Sequence, residues 1–230
     1  MKKVIIIGAS SGIGRALAEL YVAKEFLVGI TGRRKTLLEE IQSAHPDQVV
    51  VSAFDVNELK SEVHLNALVE KLGGVDIVIY SSGVGEFNKD LDFAIEKQMI
   101  DTNVMAFTQV ADWAYQYFKK QGMGSFASIT SMAGMMGSRH APAYNASKAY
   151  QINYLKGLRQ KVKRQKLAVS ITDLRTGFVD TPMAKAASKF WVATPQKAAA
   201  QMSQAIQQKA AVAYITKRWG IVGFFLRLFA

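Results

Sequence analysis

Tyr144 and Lys148 stand four residues apart in the segment Tyr144-Asn145-Ala146-Ser147-Lys148. On a helix that spacing puts both side chains on one face, about one turn apart. A free phenol, with a pKa near ~10, gives up its proton reluctantly at neutral pH. A neighbouring ammonium favours the phenolate and lowers that value. Such a pair can act as an acid toward a carbonyl oxygen and as a base toward an alcohol. Taken alone, the spacing equally describes a core tyrosine beside a lysine whose stem lies along apolar surface. Its surroundings favour chemistry. Ser131 lies thirteen residues upstream, just past the apolar run Phe126–Thr130, with Thr130 and Ser128 as neighbouring hydroxyls in the same run.

A second group of residues near the start of the chain suits an anion. The apolar run Val4-Ile5-Ile6-Ile7 leads into Gly8-Ala9-Ser10-Ser11-Gly12-Ile13-Gly14, and a helix pattern follows at once. Three glycines let the backbone turn tightly and approach a pyrophosphate. The helix start then offers unpaired N–H groups and a positive dipole end. A glycine triple between strand and helix is the context in which such a loop binds phosphate.

These residues need a scaffold, and the hydrophobic pattern predicts one. Short apolar runs fall at Lys3–Ile7, Leu27–Thr31, Val49–Ala53, Asp76–Tyr80, Ser125–Thr130, Ala168–Asp173 and Val212–Ile215. Amphipathic stretches such as Gly14–Lys24 and Lys35–Ala44 separate them. Near-continuous apolar strands belong to a parallel sheet buried on both faces. The expected fold class is therefore α/β: one Rossmann-like, doubly wound parallel sheet of about seven strands flanked by helices. No repeat or low-complexity linker interrupts the 230 residues, so residues 1–230 are expected to form a single dinucleotide-binding catalytic domain.

Composition removes several function classes. The chain has no cysteine, which excludes disulfides, thiol catalysis and thiolate metal sites. Its three histidines, His45, His64 and His140, are scattered, so no metal centre is expected. His140 alone lies close to the catalytic segment. There is no run of 18 apolar residues to span a membrane. A cysteine-free chain fits a reducing compartment, and a cytoplasmic location is the expectation. The 29 basic and 18 acidic residues give a net charge of +11, and no acidic residue follows Asp180. A basic surface could attract an anionic cofactor, a lipid surface or nucleic acid. No nucleic-acid motif accompanies it, so no nucleic-acid partner is expected.

The glycine spacing, the serine segment and the Tyr-x-x-x-Lys pair, standing in this order, resemble the short-chain dehydrogenase/reductase family. The resemblance runs from residue 3 to about residue 181. It implies an oxidoreductase that interconverts a carbonyl and an alcohol by hydride transfer with a nicotinamide cofactor. Tyr144 would be the general acid/base, Ser131 would orient the substrate oxygen, and Lys148 would assist. Asn103, in Asp101-Thr102-Asn103-Val104, matches the family's helix asparagine. The resemblance implies that it holds a water linking Lys148 to bulk solvent. Around the cofactor it implies contacts from Gly8, Ser10, Ser11, Gly12, Ile13 and Gly14. Asp55 and Val56 would flank the adenine. Ser82 and Gly83 would pass beside the cofactor, with Tyr144 and Lys148 against it. Gly177, Val179 and Thr181 would meet the nicotinamide side. Two departures stand out. Tyr80-Ser81-Ser82-Gly83 replaces the family's Asn-Asn-Ala-Gly, and Thr176 replaces a proline before Gly177.

The end of the second strand reads Thr31-Gly32-Arg33-Arg34, with no acidic side chain to accept from a ribose 2′-hydroxyl. An arginine there suits a 2′-phosphate, because its planar fork pairs with phosphate oxygens. NADP(H) is the expected cofactor, with NADPH preferred over NADH, Arg33 as the leading contact and Arg34 as the second. A nucleotide-binding, redox-sensing regulator on the same fold is the alternative, although such a protein would not need Asn103, Ser131, Tyr144 and Lys148 together.

A substrate lid is expected at about residues 182–194, where Met183, Phe190 and Trp191 join Met132, Met135 and Met136 to suggest an apolar carbonyl or alcohol substrate. The tail at residues 217–230 is short, basic and apolar. Burial against another subunit of a homodimer or homotetramer is its first reading. The second is a peripheral contact with an anionic membrane.

Overall fold

The computed structural model describes residues 1–58, 60–183 and 190–229, with side chains through residue 226. Seven parallel strands form one sheet in the order β3-β2-β1-β4-β5-β6-β7. They are β1 (Lys3–Ile7), β2 (Leu27–Gly32), β3 (Val49–Ala53), β4 (Ile77–Tyr80), β5 (Met123–Ser131), β6 (Ala168–Thr176) and β7 (Val212–Ile215). Each expected strand is present. Three run longer than their apolar runs; β5 and β6 extend at their carboxyl ends because the sequence pattern stops at polar residues that the sheet nonetheless buries. Ser131 pairs with Thr176 at the far end of the β5–β6 ladder. Thr130, Asp173 and Arg175 satisfy one another inside it: Thr130 Oγ1 donates to Asp173 Oδ1 at 2.5 Å, and Arg175 Nε donates to Asp173 Oδ2 at 2.7 Å.

Helices cover both faces. On one side lie α1 (Gly12–Ala23), α2 (Lys35–Ala44) and α7 (Pro195–Gln207), which bury Leu17, Ile41 and Met202 against Ile6, Ile30 and Leu174. On the other lie α3 (Ser61–Leu72), α5 (Phe107–Gln121) and α6 (Pro142–Arg164), which bury Leu65, Phe107 and Leu155 against Ile5, Val78 and Phe126. A sheet covered on both faces wants apolar residues in both directions, which is why Val4, Ile5, Ile6 and Ile7 are all fully buried. The remaining helices are α4 (Phe93–Ile100), continued by a π-helical turn Asp101–Ala106, and α8 (Trp219–Phe229). No helix among the described residues is long and apolar enough to cross a membrane.

The direction of winding reverses between β1 and β4, so their following loops diverge and leave a crevice at the strands' carboxyl ends. The first loop is held tight: Gly8 N and Ala9 N both donate to Thr31 O, at 3.0 and 2.9 Å. Gly14 brings α1 onto that loop. A Cβ there would lie 2.0 Å from the Gly8 carbonyl oxygen, so only glycine permits the approach. Gly14→Ala is expected to lower stability to urea by about 1–3 kcal/mol, as overpacking does. Gly157, exposed on α6 with open space around it, is the control. Gly157→Ala is expected to raise stability by about 0.5–1 kcal/mol.

Candidate active site

The carboxyl ends of β1 through β6 surround a cavity of about 1110 Å³. Every residue expected to contact the cofactor lines it, from Gly8 on the first loop to Thr181 beyond β6. Ser131 lines it too, whereas Asn103 lies one layer behind, fully buried. The cavity, the glycine loop and the open helix start together fit an extended dinucleotide. Ser11 is the N-cap of α1 but makes no side-chain cap bond, and no acidic residue lies in the helix's first turn. That leaves the amino end of α1 free to face a diphosphate.

The two arginines after β2 take different partners. Arg34 reaches back over the glycine loop, where Nη2 donates to Ser10 Oγ at 2.8 Å and to Ser11 Oγ at 2.6 Å. Arg33 stays exposed and sits 3.8 Å from Asp55 Oδ2. Asp55 also caps the turn after β3, its Oδ1 accepting from Asn57 N at 3.0 Å.

The sequence departures have local explanations. Small serines at 81 and 82 allow β4's exit to press on the glycine loop: a Cβ on Gly8 would meet Ser82 Oγ at 2.6 Å. Thr176, in place of proline, donates to the Thr130 carbonyl at 2.9 Å and so ties the ends of β6 and β5 together. Beyond it, Gly177 N donates to Ile215 O at 2.8 Å, and Val179 bridges to Ala193.

The residues expected to carry the chemistry gather where β5 ends. A 3-10 turn, Met132–Met135, follows Ser131 and lies directly on α6. Gly134 makes that possible, since a Cβ there would fall 2.6 Å from the backbone of Lys148. Ser131 Oγ caps the turn by accepting from Ala133 N at 3.1 Å, and Ser131 and Tyr144 line the cavity together. Lys148 Nζ lies 6.0 Å from the centre of the Tyr144 ring. Burial pushes the Tyr144 phenol above its usual value, and the nearby Ser131 hydroxyl opposes that rise. A neighbouring ammonium would lower a tyrosine, but in the folded chain desolvation of the phenolate raises Tyr144. Burial lowers Lys148 to about 8, opposed by the negative charge of Asp173.

Lys148 donates to the Ile129 carbonyl at 3.1 Å and to Gln151 Oε1 at 3.0 Å. Asn103 sits in the π-helical turn, where its amide clamps Val84. Oδ1 accepts from Val84 N at 2.9 Å, and Nδ2 donates to Val84 O at 2.7 Å and to Ser147 Oγ at 3.0 Å. π-Turns of this kind often mark functional positions. His140 does not line the cavity; it is exposed, its Nε2 accepting from Arg139 Nε at 2.9 Å.

The substrate side is roofed by the chain's own tail. Trp219, Val222 and Leu226 of α8 line the cavity with Met132, Met183 and Phe190. Trp219 is packed among Phe178, Phe190 and Trp191 at ring distances of 5.7, 5.0 and 5.8 Å. Neither reading of the tail anticipated this inward face. The outward face exposes Ile221, Phe224 and Phe225. Of the expected lid, residues 184–189 lie outside the described residues. Gln151 and Asp173 were also missed. Gln151 follows Lys148 by three residues on the same helical face, a spacing that could have revealed it. Asp173 ended an apolar run and read only as a strand boundary.

The sequence pattern of the short chain dehydrogenase family matches residues 2–190. An uncharacterized oxidoreductase of Staphylococcus epidermidis is 32% identical over 185 residues, covering 79% of this chain and 80% of its own. One from Staphylococcus aureus is 30% identical over 189 residues, covering 80% and 81%. Among solved structures, a short chain dehydrogenase from Bacillus anthracis superposes with a TM-score of 0.82 at 20% identity, covering 93% of this chain and 94% of its own. A variant actinorhodin polyketide ketoreductase with NADPH gives 0.81 at 21%, covering 93% and 95%. The chain belongs to the short-chain dehydrogenase family. It is an oxidoreductase of the CH–OH/C=O couple that uses NAD(P).

The lowered Lys148 value has a consequence for stability. Between about pH 8 and the usual lysine range near 10.5, the unfolded lysine holds a proton that the folded one has lost. Stability therefore rises with pH across that window, by up to about 3 kcal/mol from this one group. Lys148→Met is expected to lack that rise, so urea unfolding of the two proteins at pH 7 to 10 should show the wild type gaining stability relative to the variant as pH increases.

Proposed function

We propose that the protein is an NADP(H)-dependent oxidoreductase in which Tyr144 exchanges the proton with the substrate oxygen. The observation that carries this reading is that Ser131, Tyr144 and Lys148 line one cavity together, with Lys148 Nζ 6.0 Å from the centre of the tyrosine ring. A substrate carbonyl lying between the Ser131 and Tyr144 hydroxyls would be oriented by the first and protonated by the second. The reduced nicotinamide supplies the hydride. Lys148, held from below by Ile129 and Gln151, presents positive charge beside the tyrosine. Its ammonium steadies the phenolate that forms as the proton leaves.

The preference for NADPH rests on the amino end of α2. Arg34 is already folded onto Ser10 and Ser11, and no carboxylate ends β2. That arrangement favours a 2′-phosphate over a bare ribose hydroxyl. Arg33, paired with Asp55, adds charge at the same edge. The NADPH-bound ketoreductase of similar fold is in keeping with this choice.

The substrate is proposed to be an apolar ketone or secondary alcohol, since methionines, aromatics and the inner face of α8 form the far wall. The outer face of α8 is proposed to pack on a second copy in a dimer or tetramer.

A panel of carbonyl compounds and alcohols, offered with NADPH and with NADH, tests the reading through the absorbance of the reduced ring. NADPH is expected to be preferred, and Arg34→Ala to weaken its binding about tenfold or more while leaving NADH nearly unchanged. A fivefold preference for NADH contradicts the assignment.

A further inference from the structure

Gln151 is fully buried, one turn beyond Lys148 on α6. Its amide orientation follows from its partners. An ammonium can only donate, so Oε1 must face Lys148; a backbone carbonyl can only accept, so Nε2 must face Asn103. The distances are 3.0 Å from Lys148 Nζ and 2.9 Å to Asn103 O. One side chain thus spans the gap between the lysine and the asparagine's backbone carbonyl. The family resemblance gives the link between that asparagine and the lysine to a water leading toward solvent.

We infer that Gln151 is a positioning residue for the reaction: its carboxamide stands where the relay water was expected, and it fixes both the place of Lys148 and its hold on its proton. The kinetic part of this inference rests on the proposed role of Tyr144. A carboxamide cannot hand a proton onward at neutral pH without passing through an imidic acid. Protons lost or gained at Tyr144 therefore travel through the cleft, and not through the α6 side of the site. The carbonyl end of Gln151 has a second effect. It accepts from the ammonium and so favours the charged form of a lysine that burial would otherwise strip of its proton.

The groups facing Lys148 are few. Tyr144 shares its helix. Asp173 on β6 acts on it through charge and is itself paired with Arg175 at 2.7 Å. Arg159, on the same helix, feels both Asp173 and Arg175. Asn103, Gln151 and the Ile129 carbonyl are uncharged. Changing Gln151 alone leaves every one of these charges in place.

The test is a titration of lysine ¹³Cε resonances in the unliganded protein, with the Lys148 signal assigned by its absence from Lys148→Met. Gln151→Leu keeps the volume but removes the acceptor, and the Lys148 midpoint is expected to fall by about half a pH unit or more. Gln151→Glu supplies a stronger acceptor, and the midpoint is expected to rise by about one pH unit or more. Unchanged midpoints, or shifts in the same direction, overturn the inference. If Gln151→Leu does not fold, Gln151→Met, which also lacks the acceptor, is read for the same fall, and an unchanged midpoint there overturns the inference. With any carbonyl that the enzyme reduces, the pH profile of kcat should move in parallel with the lysine. A fixed profile beside a moving lysine contradicts the kinetic part. Loss of Tyr144's role would instead leave both midpoint shifts intact.

Discussion

Burying one ammonium group is the constraint around which the site is arranged. Lys148 is nearly sealed from solvent, with no carboxylate in contact among the described residues and Asp173 acting only across a distance. Taking an ion out of water costs on the order of several kcal/mol unless polar partners replace the hydration. The fold supplies those partners from separate elements. The end of β5 gives the Ile129 carbonyl, and α6 gives Gln151. Gln151 in turn is anchored by the Asn103 carbonyl of the π-helical turn. Asn103 uses its own side chain to fix Val84 beyond β4 and Ser147 on α6. The lysine therefore couples the ends of two strands, the π-helical turn and a long helix.

The rest of the molecule makes that coupling durable. A parallel sheet with apolar residues on both faces allows six strand ends to open into one cavity. The reversal between β1 and β4 places the phosphate loop at one side and the Ser131–Tyr144 pair at the other. Polar residues at the ends of β5 and β6 are tolerated because they satisfy one another. Thr130 and Arg175 both donate to Asp173, and Thr176 donates to Thr130 O. Glycines at 14 and 134 let helices approach where any side chain would hold them off. The tail closes the apolar end of the same cavity through Trp219.

Much of this was legible in the sequence, for physical reasons. The strands were readable because double burial demands unbroken apolar runs, and all seven appeared where those runs lie. The glycine loop was readable because tight turns demand glycine. Tyr144, Lys148, Ser131 and Asn103 could be named because their spacing is fixed by one helix, one strand end and the family likeness. The roles within the arginine pair were less accessible. Adjacent residues at a helix start point in different directions, and only the fold shows Arg34, not Arg33, lying on Ser10 and Ser11. Gln151 was missed because a buried glutamine matters only through long-range partners. The inward face of α8 was missed because an apolar tail reads the same whether it covers its own cavity or another surface.

The account stands on Tyr144 as the group that exchanges the substrate's proton. The direct measurement is a comparison of wild type with Tyr144→Phe on one reducible carbonyl, following NADPH oxidation and, separately, NADPH binding by quenching of tryptophan fluorescence. Turnover is expected to fall by at least about a thousandfold, with binding of NADPH within a few-fold of wild type. A variant that binds NADPH and still reduces the carbonyl at a comparable rate would contradict the account.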